Sequence, residues 1–130
     1  MRAIVSVHNK AGVGPFAKGL EELRWEVFST GGTKKALAHI TGGGFEGNIP
    51  RVLPRGLGAR IIRGSWQVPA IFDLIQKEGR VPQAEMYRVF NMGVGMVVVV
   101  SPESGPALLR SLPGAKGIGE VTAVEGVKIT

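Results

Sequence analysis

The chain has 130 residues, 44% of them hydrophobic, which suffices for one folded core and excludes intrinsic disorder. Its longest apolar run, residues 96–100, is too short to cross a bilayer, and the first residues turn polar before a signal segment forms, so a cytoplasmic protein is expected. The lack of cysteine excludes disulfides and thiolate chemistry, while a net charge of +6 fits an anionic ligand or partner.

Ala3 to Val7 is rich in β-branched residues and reads as a first strand. Pro15 suits a first helical turn, and Phe16, Leu20 and Leu23 at i, i+4 and i+7 give an amphipathic helix to about Arg24. Residues 25–29 read as a second strand, so the opening predicts a β-α-β unit. A short basic helical turn over residues 34–37 leads into a strand over residues 37–41. Residues 45–53 predict a short helix stopped by Pro54, and residues 57–62 a strand ending at the turn Gly64-Ser65-Trp66. Pro69 opens a helix with Val68, Ile71, Phe72 and Ile75 on its apolar side, and Gly79 ends it. Residues 83–90 predict another helix, with Met86, Val89 and Phe90 on one side. Residues 95–100 are apolar at both parities and belong in the middle of a sheet. Ser104 caps a last helix through Leu108, Leu109 and Leu112, and residues 120–124 and 127–130 predict a closing hairpin around Glu125-Gly126. The alternation gives an α/β (α+β) fold, a mixed sheet with helices packed on it.

Glycine carries the most chemical information. The 20 glycines gather in short groups beside apolar runs, a pattern of tight turns at strand ends. Two groups rise above the rest. Ser29-Thr30-Gly31-Gly32-Thr33 and Ile40-Thr41-Gly42-Gly43-Gly44 each offer hydroxyls and amides at a strand-to-helix turn, the arrangement of a phosphate cradle. A plain tight turn has the same spacing and stays open as the alternative. Arg51, Arg55, Arg60 and Arg63 form an acid-free basic stretch, readable as solvated surface or as anion-binding. With 6% aromatic residues and no module signature, neither nucleic acid nor membrane is expected as a partner. His8 and His39 are too few for a metal site, so none is expected; His39, inside an apolar strand, reads as a core or rim histidine. No nucleophile elbow or P-loop lysine occurs, and catalytic residues stay unassigned.

Five words stand in order along the chain: Ala38-His39-Ile40-Thr41-Gly42-Gly43-Gly44, Asn48-Ile49-Pro50-Arg51-Val52-Leu53-Pro54, Arg63-Gly64-Ser65-Trp66, Glu85-Met86-Tyr87-Arg88-Val89-Phe90-Asn91-Met92-Gly93-Val94-Gly95-Met96 and Ile118-Gly119-Glu120-Val121. Through them, residues 38–130 resemble the C-terminal domain of phosphoribosylformylglycinamidine cyclo-ligase, the aminoimidazole ribonucleotide synthetase of purine biosynthesis. The resemblance implies that domain's fold. In that family the triple-glycine loop and the Asn-Met-Gly turn face a substrate cleft between two domains. It therefore implies Thr41, Gly42, Gly43 and Gly44, and after them Asn91 and Gly93, as substrate-binding positions.

Residues 1–37 resemble instead the start of the methylglyoxal-synthase-like inosinate cyclohydrolase domain. The words are Arg2-Ala3-Ile4-Val5-Ser6-Val7, Phe16-Ala17-Lys18-Gly19-Leu20 and Ser29-Thr30-Gly31-Gly32-Thr33. In that family the last word helps hold a substrate phosphate, which implies the same for Ser29, Thr30, Gly31, Gly32 and Thr33. His8-Asn9-Lys10-Ala11-Gly12 departs from that family's usual Ser-Asp-Lys-Thr-Gly. The expected division is residues 1–37 as a β-α-β addition at a sheet edge and residues 38–130 as the cyclo-ligase-like part, in one folded unit.

No counterpart of the cyclo-ligase family's ATP-binding domain is read in these residues. The resemblance thus implies a cyclo-ligase-related protein that binds a phosphorylated purine-pathway intermediate without turnover alone. It implies no cofactor for the chain itself, ATP and magnesium entering only with a separate ATP-binding chain. An uncovered cleft face favours a homodimer or a partner chain. Two alternatives stand beside this reading. One is a component of an active cyclo-ligase completed in trans; the other is a non-catalytic interaction module or fold remnant whose glycine loops are only turns.

Overall fold

The computed structural model describes residues 3–7 and 36–130. They form a six-stranded sheet of β1 (Ala3–Val7), β2 (Ala36–His39), β3 (Gly58–Ile61), β4 (Met96–Val100), β5 (Lys116–Thr122) and β6 (Gly126–Ile129). The order across the sheet is β2-β4-β1-β5-β3-β6. Every pairing is antiparallel except β3 with β6. Among the described residues four α-helices accompany it: α1 (Gly44–Asn48), α2 (Ala70–Glu78), α3 (Gln83–Val89) and α4 (Gly105–Ser111). The mixed α+β class follows the sequence expectation.

β4 organises the core. Alternate side chains of a strand leave by opposite faces, and the valines of β4 sort accordingly. Val97 and Val99 join Phe45 of α1 and Met86 and Tyr87 of α3 in the larger cluster. Val98 and Val100 join Leu108 of α4 in a second, smaller one. All four valines are buried, as a strand apolar at both parities requires. The middle-of-sheet reading of this segment holds.

Several other expectations are corrected. β1 lies between β4 and β5 and is not an edge addition; its register runs from Ala3 opposite Val100 to Val7 opposite Met96. An internal place pairs both rows of its backbone groups, where an edge leaves one row open. The helix from Pro15 and the strand over residues 25–29 lie outside the described residues. Ala36 and Leu37 belong to β2, paired with Val99 and Val98, and not to a helical turn. The helix expected over residues 45–53 divides into α1 and a 3-10 turn, Ile49–Val52. Pro50 explains the break: it has no N–H to give, and its ring crowds the carbonyl four residues back.

The closing hairpin does not form. β3 lies between β5 and β6, antiparallel to the first and parallel to the second. The connection from β5 to β6 therefore passes over the start of β3, at Gly58. A Cβ on Gly58 would stand 2.0 Å from the Val124 carbonyl oxygen and 2.3 Å from that of Gly126. Only a residue without a side chain lets the backbones approach so closely. The crossing is held by Glu125 Oε1, which accepts from the Gly56 amide at 2.7 Å.

Two helices differ in detail from their sequence patterns. Val68, Phe72 and Ile75 pack against the core, but Ile71 of α2 is 54% exposed, so the helix docks by a narrow side. In α3, Met86 and Tyr87 are buried, while Val89 is 44% exposed. Ser104 stands at the start of α4, yet its hydroxyl meets Ser101 Oγ at 3.1 Å and caps no helix amide. Among the described residues no helix is long and apolar enough to cross a membrane.

Candidate functional site

β2 ends at His39, directly opposite Met96 at the start of β4, and the Ile40 amide continues the pairing to the Gly95 carbonyl at 3.0 Å. Two loops therefore leave the same end of two neighbouring strands. Between them lies an open cavity of about 460 Å³. One side is made by His39, Ile40, Thr41 and Gly42, the other by Val89, Phe90, Asn91 and Gly95. Its volume falls in the range of roughly 300–1,000 Å³ usual for small-molecule sites.

The first loop owes its shape to glycine and to one asparagine. The Gly44 amide donates back to the Thr41 carbonyl at 3.1 Å, with Gly43 at φ 91° and Gly44 at φ 54°. Gly44 is buried against the end of α3: a Cβ there would stand 2.2 Å from the Tyr87 carbonyl oxygen. Gly42 is the opposite case, exposed and with no atom within 4 Å of a Cβ. Asn48, 5% exposed at the end of α1, holds the loop from below. Its Nδ2 donates to the Gly44 carbonyl at 2.7 Å and lies 3.4 Å and 3.5 Å from those of Gly42 and Thr41. Its Oδ1 accepts from Thr41 Oγ1 at 3.4 Å. Among the described residues the Gly42 and Gly43 amides have no protein acceptor.

The second loop is a tight turn closed by the Val94 amide donating to the Asn91 carbonyl at 2.8 Å. Met92 and Gly93 both take positive φ, 49° and 89°, as the two central residues of a primed turn do. Asn91 Oδ1 accepts from the Gly93 amide at 3.0 Å, and Trp66 Nε1 donates to the Met92 carbonyl at 2.9 Å. The Trp66 ring packs 5.7 Å from Phe45 and 6.3 Å from Tyr87. Phe45 directly follows the first loop, so one aromatic cluster underlies both walls. Burial in it raises the pKa of the Tyr87 phenol, with Arg63 opposing and Asp73 adding to the rise.

Three of the positions expected from the sequence to bind substrate meet at the cavity: Thr41, Gly42 and Asn91. Gly43, Gly44 and Gly93 shape the two loops behind it without lining it. Residues 29–33 lie outside the described residues. His39 is exposed on the cavity wall, the rim position of the two read from the sequence. Arg51, Arg55, Arg60 and Arg63 are all exposed, and none lines the cavity. Arg60 pairs with Glu120 at 2.6 Å and Arg63 Nη1 donates to Gln83 Oε1 at 2.6 Å. Asn48 and Trp66 were given no role from the sequence, although both stand in the words that carry the resemblance. An amide residue one helical turn beyond a glycine run was the available signal for Asn48.

Among the described residues no three His, Asp or Glu side chains gather to hold a metal ion, and no carboxylate lines the cavity.

A mixed sheet thus carries a glycine loop and an asparagine turn on the two sides of one cavity. Residues 19–130 match the family described as AIR synthase related protein, C-terminal domain, and the chain belongs to that family. The match begins well before residue 38 and takes in residues 29–33. The chain is 50% identical over 105 residues to a chloroplastic/mitochondrial phosphoribosylformylglycinamidine cyclo-ligase of Vigna unguiculata, covering 78% of this chain and 27% of that protein. It is 52% identical over 92 residues to the enzyme of that name from Caldanaerobacter subterraneus subsp. tengcongensis, covering 71% and 26%. With that from Oceanobacillus iheyensis the identity is 44% over 119 residues, covering 88% and 34%. The chain is thus related to the cyclo-ligases of purine biosynthesis, and it spans about a quarter to a third of the length of these relatives.

Proposed function

We propose that this chain is the substrate-side domain of a phosphoribosylformylglycinamidine cyclo-ligase-type protein, and that its cavity takes the phosphoribosyl part of the ligand. The observation that carries the reading is the convergence of Thr41 and Gly42 with Asn91, far apart in the sequence, on one cavity. The Gly42 and Gly43 amides and the Asn91 carboxamide are donors suited to phosphate and ribose oxygens. A net charge of +6 favours the approach of an anion.

Binding and orientation are the chain's contribution in this reading, and turnover is not. Ring closure requires an amide oxygen to be made into a leaving group, which in the resembling family falls to ATP and magnesium. Full activity is proposed only for an assembly that includes an ATP-binding part, in the same polypeptide or another. A second copy or that partner would cover the open side of the cavity, where Val89 stands 44% exposed.

The test is a calorimetric titration with phosphoribosylformylglycinamidine, with and without ATP and magnesium. Saturable heat that inorganic phosphate competes away, and that ATP leaves unchanged, is expected. No heat into the millimolar range would overturn the reading and leave both loops as structural turns.

A further inference from the structure

Asn48 does more than fill space beneath the glycine loop. The residue is 5% exposed, and its Nδ2 faces the carbonyl oxygens of Gly44, Gly42 and Thr41 at 2.7, 3.4 and 3.5 Å. A trans peptide points its C=O and the following N–H in opposite directions. Drawing the Thr41 and Gly42 carbonyls inward toward Asn48 therefore turns the Gly42 and Gly43 N–H groups outward. Thr41, Gly42 and Gly43 are the exposed part of this loop, and Thr41 and Gly42 line the cavity.

We infer that Asn48 is a positioning residue that sorts the polarity of the loop, keeping carbonyls in and amides out so that the cavity accepts an anionic ligand. The inference rests on the ligand reading proposed above and names the group that makes it selective for phosphate. Without the Nδ2 donor, the three carbonyl oxygens lose the hydrogen-bond donor they share, the Thr41 oxygen keeping the Gly44 amide, and the loop relieves their crowding by rotating the peptide after Gly42 so that oxygen faces the cavity. Phosphate meets repulsion there, whereas a neutral sugar hydroxyl still finds an acceptor. Thr41 shares in the device, because its Oγ1 donates to Asn48 Oδ1 at 3.4 Å and fixes which side of the amide faces the carbonyls.

The experiment compares two ligands on two proteins. Phosphoribosylformylglycinamidine and its dephosphorylated riboside are titrated into the wild-type chain and into Asn48→Asp, which keeps the shape but replaces the donor with a carboxylate. The variant should bind the phosphorylated ligand about tenfold or more weaker, the scale of a lost charged hydrogen bond. Its affinity for the riboside should change by less than about threefold, well under that same scale. A merely structural role predicts equal losses for both ligands, and that result overturns the inference while leaving the ligand reading intact. No binding of either ligand to the wild type overturns both. If Asn48→Asp does not fold, the wild type decides by nuclear magnetic resonance. The Gly42 and Gly43 amide signals should move when inorganic phosphate is added, and fixed signals in the presence of bound ligand overturn the inference.

Discussion

Gly58 opens β3 and Gly42 lies in the loop that follows β2, and the space around the two glycines is opposite. At Gly58 the chain crosses over itself, and a single added carbon would stand 2.0 Å from a backbone oxygen. At Gly42 the same carbon would meet nothing within 4 Å, in a loop that lines the cavity. The first glycine makes the fold possible. The second leaves open space beside the backbone at the cavity. Crowding separates the two roles where composition and spacing do not.

The comparison is broken most directly at the crossing. Gly58→Ala should cost at least about 3 kcal/mol, because backbone must move to admit the methyl group. Its chemical denaturation midpoint checks this, and a fold that tolerates alanine there would remove the distinction. Phe45→Ala tests the cluster under the two loops and should cost about 3–5 kcal/mol, since the ring is fully buried between Trp66 and Tyr87. Gly42→Ala should lie at the other pole, within about 0.5 kcal/mol of wild type in stability. The asymmetry between Gly58 and Gly42 is the sharpest mutational statement the fold allows.

A subtler effect concerns Tyr87, the chain's one tyrosine. Burial raises its pKa above the ordinary value of 10.0, so the folded state keeps a proton that the unfolded chain releases. Stability from this source is present below pH 10.0 and is lost as pH rises from there through the folded value. Ultraviolet absorbance of the phenolate should therefore appear later than for free tyrosine, and together with unfolding. Phenolate appearing at the ordinary pH in a folded protein would contradict the packing described. The smallest effect is expected for Glu120→Gln, since the Arg60–Glu120 pair is 47% and 32% exposed. Its loss should cost under about 1 kcal/mol and vanish in high salt, as thermal melts would show.

Much of the architecture was legible because it is local. Residues 95–100 announce a central strand through apolar side chains at both parities, and Pro69 and Gly79 bracket α2. The misreading of residues 120–130 has a clear cause. Glu125-Gly126 signals a reversal of the chain, but no local signal says that β3 will lie between the two arms. The opening strand failed in the same way: its composition shows a strand, while its place between β4 and β5 depends on partners far along the chain. At the site, the resemblance brought out Thr41, Gly42 and Asn91, which one cavity joins. Asn48 stayed hidden because a buried asparagine acquires its meaning from three carbonyls that only the folded loop brings to it.

The central claim is that the cavity beside Gly42 binds the phosphorylated ligand, and one paired measurement tests it. Wild type and Gly42→Ala are titrated calorimetrically with phosphoribosylformylglycinamidine, and their melting temperatures are taken alongside. The account predicts unchanged melting and an affinity about tenfold weaker for the variant, as overpacking of a ligand contact by one methyl group produces. Equal affinity for the two proteins would show that the ligand binds elsewhere, and the cavity would then be only the gap between two turns.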